Sequence, residues 1–465
     1  MALTKGRWPA AARSHGQRCW HETQSRSRCR VYQPFASADS TFRLLELVQH
    51  APSVFNTQPW WFRIRADDRI DLCARIGTGS AYRHLQEHGL ELTDGDRRLP
   101  SVDPESRELV MSCGAALFNL WLSIRVAGHD LAIQLQPYPQ DKSVLATVEI
   151  VTSRIHPPTS TQQELYDSIL RRHTDRWPYA RAGRRPRRAD PVPPNILAAM
   201  ELAAARHEGR LRVLNRAEAN RWLREADQAD RELRSSGKYL TELSRWTDDG
   251  ESDIGIPPDA FGPAWENRGH LRKGYPPIRD FGAHAAPAGR AGEGRDEGAG
   301  EDPGPSERPV RRFERFPQLM LLSTSHNESL DWLRAGQALQ DALLTATRYG
   351  VSASFLTQPF EAQDHNAQRE SPSWGRRPAP LESAEVAPGP VAAAHDGLRL
   401  LPPARRDPAL RRQRQQRTFP EYPQLVLRVG YATHDPFITR REDPKVLDCR
   451  CDPPSWLPRA AAATS

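Results

Sequence analysis

Residues 114–138 align without a gap on residues 336–360, an offset of 222 positions. Gly114, Ala116, Leu117, Leu122, Gly128, Gln136 and Pro137 match Gly336, Ala338, Leu339, Leu344, Gly350, Gln358 and Pro359, and Tyr138 faces Phe360. Two Ala/Leu-rich helices can coincide by chance. The shared Gln-Pro-aromatic beyond the helix argues against coincidence, as does a glycine that ends the helix in both copies. The repeat implies a chain built from two copies of one unit, packed about a pseudo-twofold as a homodimer would be. A monomeric pseudo-dimer is the expected assembly.

Short alternating elements surround the repeat. Residues 40–63 predict a short helix, a turn at Ala51-Pro52-Ser53 and a strand. Leu109, Val110, Cys113, Leu117, Leu120, Trp121 and Ile124 recur at helical spacing, which predicts a long helix over 105–128. Helices are also expected over 161–172, 194–207, 216–246 and 329–349, with strands over 143–152, 317–324 and 423–430. Interleaved strands and helices indicate an α/β or α+β fold. Leu109–Val126 is the best candidate for a membrane span. It contains Arg125 and reads as a helix instead, since a span needs roughly 18–20 predominantly apolar residues. The first 35 residues lack the apolar core of a secretory signal, so a cytoplasmic location without membrane attachment is expected.

Hydrophobic residues make up only 38% of the chain, below the globular average of about 45–50%. The deficit is local. Residues 283–312 are nearly devoid of Leu, Ile, Phe and Trp, and 362–418 are dense in Arg, Pro, Ala and Gln. Neither block can bury enough apolar surface to offset an ordering entropy of about 1–2 kcal/mol per residue. Disordered insertions are expected there and over 1–35, with 448–465 as a tail. Out-of-frame translation of a GC-rich gene would leave the same composition. The remaining chain divides into a first half at 36–155 and a second at 156–447. The six cysteines form no CxxC pair, so free thiols are expected and no metal site.

Two motifs carry chemistry. The run Ala51-Pro52-Ser53-Val54-Phe55-Asn56-Thr57-Gln58-Pro59-Trp60-Trp61-Phe62 closely resembles the APSxxNxQPWxF signature of the FMN-dependent nitroreductase family. The run Arg171-Arg172-His173-Thr174-Asp175-Arg176-Trp177-Pro178-Tyr179 is similar to that family's RRSxRxF flavin-phosphate motif. Asp103-Pro104, Arg107-Glu108 and the helix from Ser112 add a resemblance to its Acg-like branch, in which two nitroreductase folds share one chain. The resemblance covers roughly 36–282, 313–361 and 419–447. It implies a duplicated α+β nitroreductase-like fold, FMN as cofactor and NAD(P)H as electron donor.

The chemistry of the residues suits that implication. A phosphate dianion needs converging permanent cations, and arginine supplies bidentate ones. Arg172, Thr174 and Arg176 alternate and could face one anion from an extended segment. By resemblance Arg172, His173 and Thr174 hold the phosphate, and Arg176 lies near the flavin pyrimidine edge, where a cation favours the reduced anionic flavin. Pro52, Ser53, Asn56 and Gln58 match residues that approach the flavin from the partner subunit in dimeric relatives. Ser352 and Ala353 match a loop whose backbone donors reach the flavin N5/O4 edge, and Arg440 and Arg441 match late basic residues of the phosphate cradle. Trp60 and Trp61 read as core. Residues 216–282, including Trp246, Asp248 and Asp249, match a segment that lies over the flavin as a lid.

Each half keeps one motif. Nothing like RRHTDR precedes the first, and Asp190 to Ile196 carries no second NxQPW. A pseudo-dimer with one of each motif keeps one FMN pocket. No Walker A motif, HExxH or GxSxG is present, and no catalytic side chain is nominated, because the flavin performs the transfer. Three functions are weighed: two-electron reduction of a small-molecule nitro or quinone-like acceptor, non-catalytic flavin sequestration under a lid, and nucleic-acid binding through the basic blocks 181–188 and 405–417. The last is disfavoured, because both blocks lack interleaved aromatics.

Overall fold

The computed structural model describes residues 38–65, 69–77, 96–179, 191–247, 252–265, 310–311, 313–367, 421–435, 437 and 439–449. The expected segment 1–35, the basic blocks 181–188 and 405–417, Asp248, Asp249 and nearly all of 283–312 and 362–418 lie outside these residues.

The chain is mixed α and β with two principal sheets, antiparallel except for one added strand. Helix α1 (Ala38–Val48) leads through the Ala51–Pro59 turn into β1 (Trp60–Arg65) and β2 (Arg69–Ala74). Helix α2 (Arg107–Val126) follows, then β3 (His129–Leu135), β4 (Val144–Ile155) and α3 (Ser160–Ser168). Next come α4 (Pro194–Ala205), β5 (Arg210–Val213), α5 (Arg216–Arg234) and α6 (Gly237–Arg245), then the two-residue strands β6 (Ala264–Trp265) and β7 (Val310–Arg311). The rest is β8 (Gln318–Thr324), α7 (Ser329–Arg348), β9 (Ser352–Leu356), α8 (Gln358–Ala367), β10 (Tyr422–Gly430) and β11 (Val446–Cys449).

The first sheet runs β11-β1-β2-β4-β3 and the second β5-β8-β10-β9. In each, the strand after the long helix pairs with the next strand, which pairs with the strand before the helix. Both sheets bury a face on the central helices α2 and α7. The core of the first gathers Trp60, Phe62, Ile64, Ile70, Leu117 and Leu120, and that of the second Met320, Leu322, Ala338, Ala342, Leu425 and Leu427. Strand β11 lies parallel to β1, with Phe62 opposite Val446, so residues 446–449 return to the first sheet. The expected tail at 448 therefore begins inside a strand.

The repeat's glycines sit where α2 and α7 cross. A methyl group on Gly114 would lie 2.1 Å from the Leu333 carbonyl oxygen, and one on Gly336 would lie 2.0 Å from that of Met111. Leu333 and Met111 are themselves one offset apart. Only residues without a side chain allow backbones this close. Beyond the crossing, the Gln340 amide donates to Asn119 Oδ1 at 2.7 Å. Helix α2 is long and apolar enough to cross a membrane, yet it is buried almost throughout as the core of this fold.

Three expectations shift. The single helix expected over 216–246 breaks at Ser235-Ser236, because Ser236 Oγ caps a new helix by accepting from the Tyr239 amide at 3.4 Å. The insertion expected from 362 begins later, since α8 continues to Ala367. Val310–Arg311, at the end of the expected 283–312 insertion, pairs in parallel with Ala264–Trp265. Strands β2, β3 and β5 went unread in the sequence.

Candidate functional site

The Ala51–Pro59 turn is backbone held in an unusual shape. Phe55 (φ 45°), Asn56 (φ 56°) and Gln58 (φ 46°) are all left-handed, a conformation that side-chain-bearing residues avoid unless their surroundings enforce it. The enforcement is visible. Ser53 Oγ accepts from the Gln58 amide at 3.1 Å, and Ser112 Oγ on α2 accepts from the Val54 amide at 3.1 Å. Asn56 Nδ2 donates to the carbonyls of Gly255 (2.9 Å) and Arg440 (3.2 Å), tying the turn to two distant segments. Gln58 is buried away from the cavity. Its Nε2 donates to the Asp253 carbonyl at 2.8 Å, and its Oε1 accepts from the Glu442 amide at 3.0 Å.

The Arg171–Tyr179 segment leaves α3 and runs extended beside β9. Thr174 bridges Ala353 in parallel, and the Asp175 amide donates to the Ala353 carbonyl at 3.0 Å. Arg172, Thr174 and Arg176 all line the cavity described next, whereas Arg171 turns back on its own helix and donates to the Asp167 carbonyl and Ser168 Oγ. Alternation is incomplete here, because His173 lines the same cavity as its two neighbours. Asp175 is buried, with Oδ1 accepting from the Trp177 amide at 2.9 Å and close to His434 Nε2 at 3.1 Å.

The turn and this segment face each other across two adjoining hollows, which share Pro52, Ser53, Thr174 and Arg176. The smaller is a cationic end. It is lined by Arg172, Arg176 and Arg441, by His50 and His173, and, among the described residues, by no acidic one. Arg172 Nη2 donates to the His50 carbonyl at 3.2 Å, but its Nε and Nη1 are buried with no partner among the described residues. His173 Nε2 and Arg441 Nε are buried and unpartnered too. Burial draws Arg172 down to about 10, and burial together with the Arg172 charge draws Arg441 down to about 9. Both remain charged at neutral pH. Burial, then Arg441 and Arg172, push His50 down to about 3, so its ring stays neutral. Burial is also the main influence lowering His173, with Arg172 adding to it. Buried donors with no acceptor are costly to leave unmatched. This end fits an anion with several oxygens, such as a phosphate monoester.

The larger hollow is mostly apolar. Met111 from α2, Leu339 from α7 and Phe355, Leu356 and Leu425 from the second sheet form its walls, with Pro52–Phe55 on one side and Glu108, Ser112 and Ser354 as polar points. A flat ring with polar edges suits this lining. Arg428 also borders it, but its charge is already matched. Arg428 donates to both oxygens of buried Glu314 (2.5 and 3.0 Å), to Ser354 Oγ (3.0 Å) and to the Trp177 carbonyl (2.8 Å), and lies 3.8 Å over the Tyr179 ring. The guanidiniums with donors unmatched among the described residues, Arg172 and Arg441, are at the other end.

The structure brings Pro52, Ser53, Asn56, Arg172, His173, Thr174, Arg176 and Arg441 to one cavity. It does not bring Gln58, Ser352, Ala353 or Arg440 there. Ser352 and Ala353 lie in β9, not in a loop, and pair with Gly430 and Val429, so Ser354 is the residue of this stretch that reaches the cavity. Arg440 is exposed, while Arg441 turns inward. His50 and Arg428 were missed. The only signal for Arg428 was a lone charge inside the apolar run of β10; His50, beside the turn motif, carried none. The segment 252–265, within the expected lid, covers the cationic end through Ile256 and Ala260. It is fastened by Arg176 Nη1 to the Ala260 carbonyl at 2.9 Å and by the Asn56 and Gln58 amides.

No family model matches the chain. It is 28% identical over 327 residues to a Mycobacterium tuberculosis protein named "Putative NAD(P)H nitroreductase Rv3131", covering 70% of this chain and 78% of that one. It is 27% identical over 331 residues to "Putative NAD(P)H nitroreductase acg" of the same organism, covering 68% and 80%. A third relative there, "Uncharacterized protein Rv3127", is 27% identical over 321 residues, 68% of this chain and 78% of its own.

Proposed function

We propose, for a chain related to the nitroreductase family through its Acg-like branch, that it is an FMN-dependent oxidoreductase passing two electrons from NAD(P)H to a small nitro or quinone-like acceptor. The observation that carries this reading is buried Arg172 and half-buried Arg441, whose buried donors find no partner among the described residues, beside an apolar hollow. FMN presents a phosphate dianion at one end and a flat ring at the other. Arg172, Arg441, His173 and Thr174 would hold the phosphate, with His50 as a neutral neighbour. Arg176 and Ser53 stand where the two hollows join, and Met111, Leu339 and Leu425 would enclose the ring and exclude water. When bound, the flavin supplies hydride acceptance and donation. Ser53 and Ser354 would offer hydroxyls to its polar edges, while the Ser112 hydroxyl is already donated to the Glu108 carbonyl at 2.7 Å.

The cavity draws its turn from the first half and its cations from the second, which supports two fused copies sharing one flavin. The common strand plan of the two sheets and the paired glycines at the helix crossing support the duplication as well. Flavin absorbance of the purified chain tests the cofactor. A well-folded protein that is colourless and refuses added FMN refutes the reading.

The fastened segment 252–265 favours a second reading, in which the flavin is held and does not turn over. Anaerobic addition of NAD(P)H separates the two. Bleaching supports the enzyme. Reduction by dithionite alone supports sequestration.

A further inference from the structure

Arg441 is held in place from outside the cavity. The next residue, Glu442, turns the other way, toward the first sheet. Its Oε2 accepts from Arg75 Nη1 at 2.6 Å and its Oε1 from Arg97 Nη2 at 3.0 Å. The side chains of both arginines are almost wholly buried, at 2% and 0% exposure. Arg97 Nη1 also reaches the Thr57 carbonyl at 3.3 Å, inside the strained turn, and the Arg97 amide donates to the Arg75 carbonyl at 2.9 Å. The Glu442 amide donates to Gln58 Oε1 at 3.0 Å. Three residues on, the Lys445 carbonyl accepts from the Phe62 amide, which begins the pairing of β11 with β1.

The two neighbours thus have opposed electrostatics. Arg441 sits beside Arg172, where two guanidiniums share a space with no acid among its described lining residues and repel each other. An unanchored segment would relax by withdrawing Arg441. Glu442 is a strong, directional anchor, because each of its carboxylate oxygens accepts a charge-assisted hydrogen bond from a buried arginine. We propose that Glu442 is a positioning residue. Its carboxylate, gripped by Arg75 and Arg97, sets the placement of residues 439–446 so that Arg441 is presented to an anionic ligand inside the cavity. The proposal rests on the reading of that end as a phosphate site, and it predicts a function for Gln58 as well, as part of the socket and not as a ligand contact.

The test compares FMN with riboflavin, which lacks the phosphate, by fluorescence titration of the full-length apoprotein. Wild type is expected to prefer FMN. Glu442→Gln is expected to lose about 10- to 100-fold in FMN affinity, the worth of a charge-assisted contact, with riboflavin affinity changed less than about threefold. Arg441→Gln should give the same pattern, and the double variant should be no worse than Arg441→Gln alone, because Glu442 acts through Arg441. Equal losses for both ligands, or additive losses in the double variant, overturn the positioning role. Should Glu442→Gln fail to fold, Glu442→Asp keeps the charge but shortens its reach. It must still lower the FMN-to-riboflavin ratio, and an unchanged ratio overturns the proposal. A wild-type protein that binds both ligands equally refutes the phosphate site itself, a failure distinct from that of the anchor.

Discussion

Replacing Gly114 by alanine sets local and tertiary physics against each other. In an isolated helix the change is favourable by about 1 kcal/mol, since alanine is the better helix former. At the crossing of α2 and α7 the new methyl carbon would stand 2.1 Å from the Leu333 carbonyl oxygen and 3.0 Å from the Gly336 Cα. Favourable carbon contacts lie at about 3.5–4.0 Å, and the obstacle is backbone, which cannot rotate away. The helices must separate or tilt. Overpacking that forces backbone shifts costs typically about 1–3 kcal/mol, so after the gain of about 1 kcal/mol in helix propensity the net expectation is a loss of up to about 2 kcal/mol. Urea unfolding measures it as a lower midpoint at unchanged slope. Gly237→Ala is the control, because Gly237 opens α6 with nothing within 4 Å of its would-be Cβ; it should be neutral or stabilising by up to about 1 kcal/mol. Gly336→Ala should match Gly114→Ala, and the double variant should lose less than the sum, because helices already parted admit the second methyl more cheaply. A stabilised Gly114→Ala protein would refute the close crossing. Met111 and Leu339 come from the same two helices, so the variant should also loosen the apolar hollow.

Two further outcomes follow from the cationic end. Arg172→Met removes a buried charge with two unmatched donors, so the apoprotein should keep its stability to within about 1 kcal/mol while FMN affinity falls tenfold or more; severe destabilisation of the apoprotein with FMN affinity intact would contradict it. His50 has a folded-state value of about 3 against 6.5 when free, so the unfolded chain takes up a proton that the folded one refuses. Its contribution is intact above pH 6.5 and is lost as the pH falls toward 3, with a slope of up to about 1.4 kcal/mol per pH unit. Thermal midpoints across that range should fall less steeply in His50→Gln than in wild type; parallel curves would refute the assignment.

The sequence alone was enough to locate the long helices, the turn motif and the guanidinium cluster, because each is written in neighbouring residues. Helical periodicity marks α2 and α7. A proline-anchored bend marks the turn. Alternation along Arg172, Thr174 and Arg176 puts them on one side of any extended segment. The offset between Gly114 and Gly336 even indicated that two helices play matching parts, though not that they meet.

What folding alone decided are the choices between neighbours. Arg441 faces the cavity and Arg440 does not, because the neighbouring Glu442 is seized by Arg75 and Arg97, both more than three hundred positions away. Ser354 reaches the hollow while Ser352 and Ala353 are spent on strand pairing. Gln58, set in the most recognisable motif of the chain, is committed to backbone groups of residues 253 and 442. Arg428 is neutralised by Glu314, more than a hundred positions away, whereas Arg172 and Arg441 keep buried donors that no described residue accepts. A side chain's chemistry is read from its own position, but whether that chemistry is still available depends on which distant partner has already taken it.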